Sequence, residues 1–262
     1  MRLDSYVVFI KPDVSRSRAK ALIEAGSVII DGVTVNKPSF SVDENVAHDL
    51  IINTDMIPYV SRGGLKLERA LKKFGVEPQG RVCADIGAST GGFTDCLLKR
   101  GAVKVFAVDS GKDQLAESLR KDERVISLEG FNARNLTSDT LGESPSLAVA
   151  DLSFISQTLV LDGIYNILAD NGEYIGLIKP QFECGRAALN KNGIVKDKKQ
   201  HILAIKKVIA SALECGFKVI SVINSPIKGG DGNREFLFHA IKTSDLAVNT
   251  FSDQDILNLW EE

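Results

Sequence analysis

The segment from Ala84 to Leu98, Ala-Asp-Ile-Gly-Ala-Ser-Thr-Gly-Gly-Phe-Thr-Asp-Cys-Leu-Leu, constrains this 262-residue chain most. An acid, Asp85, closes the apolar run Arg81-Val82-Cys83-Ala84-Asp85-Ile86. A Gly-rich turn follows, Gly87-Ala88-Ser89-Thr90-Gly91-Gly92, and a helix opens at about Gly92 and Phe93. Glycines let a backbone approach a ligand closely, and a helix N-terminus offers unpaired N–H groups. A second apolar run, Val103 to Val108, ends in Asp109, where an acid is placed to hold a ribose. The turn lacks the second glycine of Gly-x-Gly-x-x-Gly, so it is a poor cradle for a pyrophosphate. An adenosine-bearing cofactor such as S-adenosylmethionine fits it better. On this loop alone, other nucleotides and a ligand-free strand–helix turn stay open.

From Arg81 onward, apolar runs and helical patterns alternate. The runs Arg81–Ile86, Val103–Val108, Arg124–Leu128, Leu147–Ala150, Glu173–Ile178, Lys218–Ile223 and Glu235–Ile241 predict strands. Helices are expected over 92–100, 112–120, 155–168 and 197–214, with an opening helix from Ser61 to Phe74. The alternation predicts an α/β domain over 61–243 with a doubly wound, Rossmann-like sheet, whose ligands bind at the carboxyl ends of the strands. Asp151 and Lys179 each follow such a strand, Lys66 lies in the opening helix, and Glu235 opens the last strand. Taken singly, each is ordinarily a surface or ion-pair residue. Together they suit methylation of a ribose 2′-hydroxyl, which needs in-line attack on a sulfonium methyl and loss of a weakly acidic proton. A lysine can accept or steer that proton if burial and a nearby cation disfavour its charged form. Lys179 would do so, Lys66 would supply the cation, and Asp151 and Glu235 would orient the lysines.

Residues 1–57 form a separate small α+β unit. Leu3, Val7 and Ile10 fall at helical spacing, and Ser15 to Gly26 predicts a helix with Ser15 or Ser17 as its N-cap. Asp31-Gly32 between Val28-Ile29-Ile30 and Val33-Thr34-Val35 predicts a hairpin, and a last strand lies near Asp49 to Ile52. Residues 58–60 are the linker to the larger domain, and 244–262 form an acidic tail that includes Trp260.

The formal net charge is −2, so a nucleic-acid role must rest on local patches. Residues 1–57 hold six Lys/Arg against eight Asp/Glu, yet Arg16, Arg18 and Lys20 sit together on one helix. Cys83, Cys96, Cys184 and Cys215 have no paired metal spacing and the three histidines lie far apart, which predicts no metal site and a reduced, cytoplasmic protein. No secretory signal and no run of about 18 apolar residues is visible, so no membrane span is expected.

Several stretches carry a closer resemblance. Arg2-Leu3-Asp4, Ser15-Arg16-x-x-Ala19, Val28-x-x-Asp31-Gly32 and Lys37-Pro38 resemble the small αL RNA-binding module. Ser61-Arg62-Gly63-Gly64-Leu65-Lys66-Leu67, Asp85 to Thr94, Asn132-Ala133-Arg134-Asn135, Ala150-Asp151-Leu152-Ser153-Phe154, Ile178-Lys179-Pro180-Gln181-Phe182-Glu183 and Gly232-Asn233-x-Glu235-Phe236 resemble the TlyA family. That family joins this RNA-binding module to an FtsJ-like class I methyltransferase domain. The resemblance implies S-adenosylmethionine-dependent 2′-O-methylation of a cytidine ribose in ribosomal RNA, 16S, 23S or both, with ribosomal RNA or ribosomal subunits as partner. It maps a Lys-Asp-Lys-Glu tetrad onto Lys66, Asp151, Lys179 and Glu235. The implied cofactor set is Asp85, Gly87, Ala88, Ser89, Gly91, Gly92, Phe93, Asp109, Ser110, Asn132 and Asp151. The implied RNA contacts are Arg2, Arg16, Arg18, Lys20 and Arg62. After Asp109 the chain reads Ser110-Gly111-Lys112-Asp113, where the family pattern has Val-Gly-Tyr-Gly. Relatives often carry a haemolysin label, so a membrane-active protein is the rival reading. A catalytically silent RNA-binding assembly factor is another.

Overall fold

The structure, a computed structural model, describes residues 1–12, 14, 16–53, 58–229, 232–243 and 251–261. They fall into two compact units, Met1–Gly64 and Leu65–Glu262.

In the first unit, α1 (Leu3–Ile10) buries Leu3, Tyr6 and Val7, a spacing that puts them on one helix face. Helix α2 (Arg16–Glu24) does the same with Ala19, Leu22 and Ile23. It begins at Arg16, which places Ser17 inside the first turn; the alternative cap, Ser15, lies outside the described residues. Its end is closed by the Gly26 and Ser27 N–H groups donating to Ile23 and Leu22 carbonyls at 3.0 and 2.9 Å. Strand β1 (Val28–Ile30) pairs antiparallel with β2 (Val33–Thr34) and β3 (Leu50–Ile52), in the order β2-β1-β3. Asp31 and Gly32 both take positive φ, 49° and 77°, as the predicted two-residue hairpin turn requires.

The second unit contains a seven-stranded sheet. Its strands are β4 (Val82–Ile86), β5 (Lys104–Asp109), β6 (Val125–Glu129), β7 (Leu147–Ala150), β8 (Glu173–Ile178), β9 (Phe217–Asn224) and β10 (Phe236–Lys242), ordered β6-β5-β4-β7-β8-β10-β9. The first five run parallel, and β10 runs antiparallel to both β8 and β9. Helices α4 (Gly92–Lys99), α5 (Glu117–Arg120) and α6 (Leu161–Ile167) lie in the crossovers of the parallel part, with α3 (Gly63–Phe74) ahead of β4. Helices α7 (Pro180–Glu183) and α8 (Lys198–Glu214) connect β8 to β9. The central strands are fully buried, as strands covered on both faces must be: Ala84, Ile86, Ala148, Ala150, Tyr174 and Ile178 are all 0% exposed. The order reverses between β4 and β7, so the loops after these two strands meet at the switch point of the sheet.

Three elements depart from the sequence expectation. The helix expected over 112–120 is reduced to Glu117–Arg120. The Glu129 carboxylate accepts the backbone N–H groups of Asp113, Gln114 and Leu115 at 3.2, 2.8 and 3.0 Å, and these side-chain bonds compete with helix formation. The helix over 155–168 is split, a 3-10 turn at Gln157–Leu159 capped by Ser156 preceding α6. The tail contains α9 (Asp253–Asn258), opened by a capping box between Ser252 and Asp255. Trp260 beyond it packs on His201 and Phe236, with Arg234 and Lys198 over its ring at 4.8 and 4.9 Å.

Strand β8 carries a glycine at 176 for a packing reason. A Cβ there would stand 2.4 Å from the Phe238 ring and 2.7 Å from the Tyr174 hydroxyl. Overpacking of a buried site costs about 1–3 kcal/mol. Gly176→Ala is expected to lower stability by that amount in chemical denaturation, with part recovered by adding Phe238→Leu. A Gly176→Ala variant of unchanged stability would contradict this packing.

Candidate active site

Strand ends and one antiparallel pairing assemble the four predicted catalytic residues. Asp151 follows β7 and Lys179 follows β8, both at carboxyl ends. Because β10 runs antiparallel to β8, with Phe236 opposite Ile178, the residue before β10 lies level with the one after β8. That residue is Glu235, which precedes the strand rather than opening it as the sequence suggested. Lys66, one turn into α3, completes the group.

These residues form a chain of charge. Glu235 Oε2 accepts from Lys66 Nζ at 2.8 Å, Lys66 Nζ stands 3.5 Å from Asp151 Oδ2, and Lys179 Nζ stands 2.6 Å from Asp151 Oδ1. Lys179 Nζ also donates to Ser153 Oγ at 2.9 Å. Lys66, Lys179 and Glu235 are buried. Two cations and two anions leave the cluster neutral, which is how buried charges are accommodated. Burial opposes the Lys66 ammonium, but Asp151 and Glu235 outweigh it and hold its pKa above the ordinary lysine value. Burial likewise opposes the Asp151 carboxylate, and the two lysines outweigh it and hold its pKa below the ordinary range. Glu235 is confined from its far side as well: a Cβ on Gly229 would stand 2.4 Å from Glu235 Oε1, so a larger residue there would displace this carboxylate.

Beside this cluster lies a cleft of about 560 Å³. Of the residues assigned to the cofactor, Gly87, Ser89, Asp109, Ser110, Asn132 and Asp151 line it, together with Gly111, Gln114, Phe131, Arg134 and the segment from Leu152 to Ile155. Gly87 has φ +86°, and a Cβ on it would stand 2.9 Å from the Asp151 carbonyl, so the two switch-point loops abut only through a glycine. The Asp109 carboxylate accepts from the Ser89 and Gly111 N–H groups at 2.8 and 2.7 Å, which fixes it at the cleft edge. Ala88, Gly91, Gly92, Phe93 and Asp85 lie behind the lining. Gly91 is a packing position: a Cβ would stand 2.2 Å from Leu119. Phe93 is 3% exposed within the core. Asp85 is fully buried, one oxygen accepting from Thr94 N and Oγ1 at 2.8 and 2.6 Å and the other, Oδ1, without a partner. Burial pushes its pKa up to about 7. Ser153 and Phe154 carry no sequence signal of a role beyond the motif Ala150-Asp151-Leu152-Ser153-Phe154. Ser153 accepts from Lys179, and Phe154 sits at the cleft with φ +64° and 91% exposure.

The five residues assigned to RNA lie in the first unit, and two carboxylates gather four of them. Arg2 makes two 2.9 Å hydrogen bonds to Asp4, and Arg16 stands 3.5 Å from the same group. Lys20 and Arg62 pair with Glu24 at 3.8 and 2.8 Å. Arg18 donates to the Tyr59 carbonyl. In the second unit, the basic stretch 179–207 is partly neutralised: Lys206 pairs with Asp253 and Lys207 with Glu183. Among the described residues, no group of three or more His, Cys, Asp or Glu is arranged to hold a metal ion, and no helix is long and apolar enough to cross a membrane.

Fold and site together define a class I methyltransferase domain preceded by a small RNA-binding-type module, and known proteins bear this out. The FtsJ-like methyltransferase family matches residues 59–242, and the S4 domain matches residues 1–47. Hemolysin A of Brachyspira hyodysenteriae is 43% identical over 242 residues, 92% of this chain and 100% of that protein. The 16S/23S rRNA (cytidine-2'-O)-methyltransferase TlyA of Mycobacterium tuberculosis is 40% identical over 244 residues, 93% of this chain and 91% of that one. A solved structure from Streptococcus thermophilus bearing a hemolysin label superposes with a TM-score of 0.78 at 39% identity, covering 100% of this chain and 96% of the other. The chain belongs to the TlyA family.

The buried Asp85 gives a pH-dependent prediction. Its folded pKa lies above that of an unfolded aspartate, so between about pH 4 and about pH 7 unfolding releases its proton and the folded state loses stability as pH rises. Asp85→Asn mimics the neutral form and keeps the acceptor for Thr94. Its melting temperature relative to the parent protein should rise from about pH 4 to about pH 7 and level off above, with a gain of at most ~4 kcal/mol. A difference that stays flat or falls across this interval would contradict a neutral, buried Asp85.

Proposed function

We propose that this protein methylates the ribose 2′-hydroxyl of a cytidine in ribosomal RNA, using S-adenosylmethionine. The observation that carries the reading is the neutral Glu235–Lys66–Asp151–Lys179 chain at the rim of the Gly87–Asp109 cleft. The name of the M. tuberculosis relative supplies the cytidine and the ribosomal RNA.

The cleft fits the cofactor in its own residues. Gly87 brings backbone close to the floor of the cleft, and each Asp109 oxygen keeps a lone pair for a ribose hydroxyl after accepting one N–H. Ser110, Asn132 and Asp151 complete the polar lining. When bound, S-adenosylmethionine supplies an activated methyl group. Lys179, held between Asp151 and Ser153, would orient the 2′-hydroxyl; its ammonium must first give a proton to solvent before the free amine can take the proton of the hydroxyl. Lys66 and Glu235 hold Asp151 from the far side. Much of the acceleration would come from placement of oxygen against methyl, a contribution of up to about 7–11 kcal/mol in well-oriented reactions. The S4 domain would add RNA affinity through phosphate contacts from Arg2, Arg16, Arg18, Lys20 and Arg62, which position without reading sequence.

Among the described residues no helix is long and apolar enough to cross a membrane. The silent assembly-factor reading gives no reason for three buried charges to gather on a fourth, Asp151, at a cleft.

Single-turnover methyl transfer to ribosomal RNA tests the assignment. Lys179→Ala should abolish turnover while calorimetric affinity for S-adenosylmethionine stays within a few-fold. Lys179→Arg should also fail, because a guanidinium stays charged and has a different shape. Substantial rate in Lys179→Arg would exclude proton acceptance by this side chain.

A further inference from the structure

The methyl-transfer reading assigns no task to Glu183, yet this side chain is only 1% exposed. It ends α7, the short helix whose N-cap is Lys179. Its Oε1 accepts the backbone N–H of Gln157 at 2.7 Å, and its Oε2 accepts from the Ser156 hydroxyl. Lys207 Nζ approaches Oε2 at 3.4 Å and donates to the Glu183 carbonyl at 3.0 Å, which balances the charge from the α8 side. Ser156 and Gln157 close the loop that Asp151 opens. Glu183 therefore ties the far end of the Asp151 loop to the helix that starts at Lys179.

The same two segments touch at two further points. Lys179 Nζ reaches Asp151 and Ser153, and the Phe154 ring lies 5.4 Å from that of Phe182. Gln157 anchors the loop end to the sheet, donating to the Leu177 carbonyl at 2.9 Å and accepting from the Tyr174 hydroxyl at 2.5 Å. The loop bears a left-handed residue, Phe154, so its path is not one that local preference maintains. A fixed anchor at each end resolves this: the sheet holds Asp151, and Glu183 holds Ser156 and Gln157.

We propose that Glu183 is a positioning residue for methyl transfer, a buried carboxylate clamp that keeps the 151–157 loop in register with Lys179. The proposal rests on the methyl-transfer reading for its effect on rate, though not for the clamp itself. Without the carboxylate, the Gln157 N–H is left buried and unpaired, the loop loosens, and Asp151 and Ser153 shift relative to Lys179. Misplacement of catalytic groups by about 1 Å costs on the order of 100-fold in rate.

The full-length protein serves for the test, with three variants: Glu183→Ala, Glu183→Gln and Ser156→Ala. Three quantities are measured on each: single-turnover methyl transfer to ribosomal RNA, amide hydrogen exchange of the 151–159 segment, and the melting temperature. Glu183→Ala should lower the rate by roughly 10- to 100-fold and speed exchange in this segment. Glu183→Gln keeps an acceptor for Gln157 and should recover most of both. Ser156→Ala removes one arm of the clamp from the loop side and should move both readouts in the same direction, which keeps the proposal testable if Glu183→Ala does not fold. A folded Glu183→Ala variant with rate near that of the parent would overturn the proposal. So would Ala and Gln variants equally impaired with equal falls in melting temperature, the sign of a merely structural residue. If the parent protein itself transfers no methyl to RNA, the functional reading fails separately. The exchange rates then decide the clamp: unchanged exchange at 151–159 in Glu183→Ala would reject it.

Discussion

The site turns on one cleft-lining carboxylate, Asp151, shared by two lysines. Asp151 stands 2.6 Å from Lys179 and 3.5 Å from Lys66, and Glu235 supplies the second negative charge. Desolvation of four charges would be prohibitive if any were alone, and breaking a buried pair by deleting one partner costs about 3–5 kcal/mol. The cluster is therefore tolerable only as a set. It is also directional: one end, Glu235, is sealed against Gly229, while the other end reaches the loop lining the cleft.

The sheet explains how residues separated by 169 positions, Lys66 and Glu235, come to meet in a hydrogen bond from Lys66 Nζ to Glu235 Oε2. Parallel strands β7 and β8 end at the same edge, which delivers Asp151 and Lys179. The antiparallel β10 starts where β8 ends, which delivers Glu235. The strand order reverses between β4 and β7, which brings the Gly87 turn against the Asp151 carbonyl. Cofactor-type cleft and charge cluster are thus neighbours by topology, with Asp151 belonging to both.

Much of this was legible in the sequence. The Gly-rich turn, the acid-ended strands and the Asp-Gly hairpin are local signals with local causes, and each element formed close to where it was expected. The residues that the sequence could not rank are those whose role depends on distant partners. Gly91 reads as part of a ligand loop but is needed for contact with Leu119. Asp85 reads as a ligand acid yet sits buried behind the cleft. The helix at 112–120 carries a helical pattern that Glu129 cancels from 14 to 16 residues away. Glu183 ends the motif Ile178-Lys179-Pro180-Gln181-Phe182-Glu183, but its burial against Ser156 and Gln157 has no one-dimensional signature.

The proposed function requires that the charge on Asp151, not merely its shape, organise the two lysines for methyl transfer. Asp151→Asn preserves the shape and removes the charge. Mapping of 2′-O-methylation on ribosomal RNA after incubation with this variant and S-adenosylmethionine tests the claim most directly. No methylated cytidine ribose is expected from the variant under conditions where the parent protein goes to completion, with cofactor affinity retained within several-fold. Methylation by Asp151→Asn at a rate near that of the parent would contradict it.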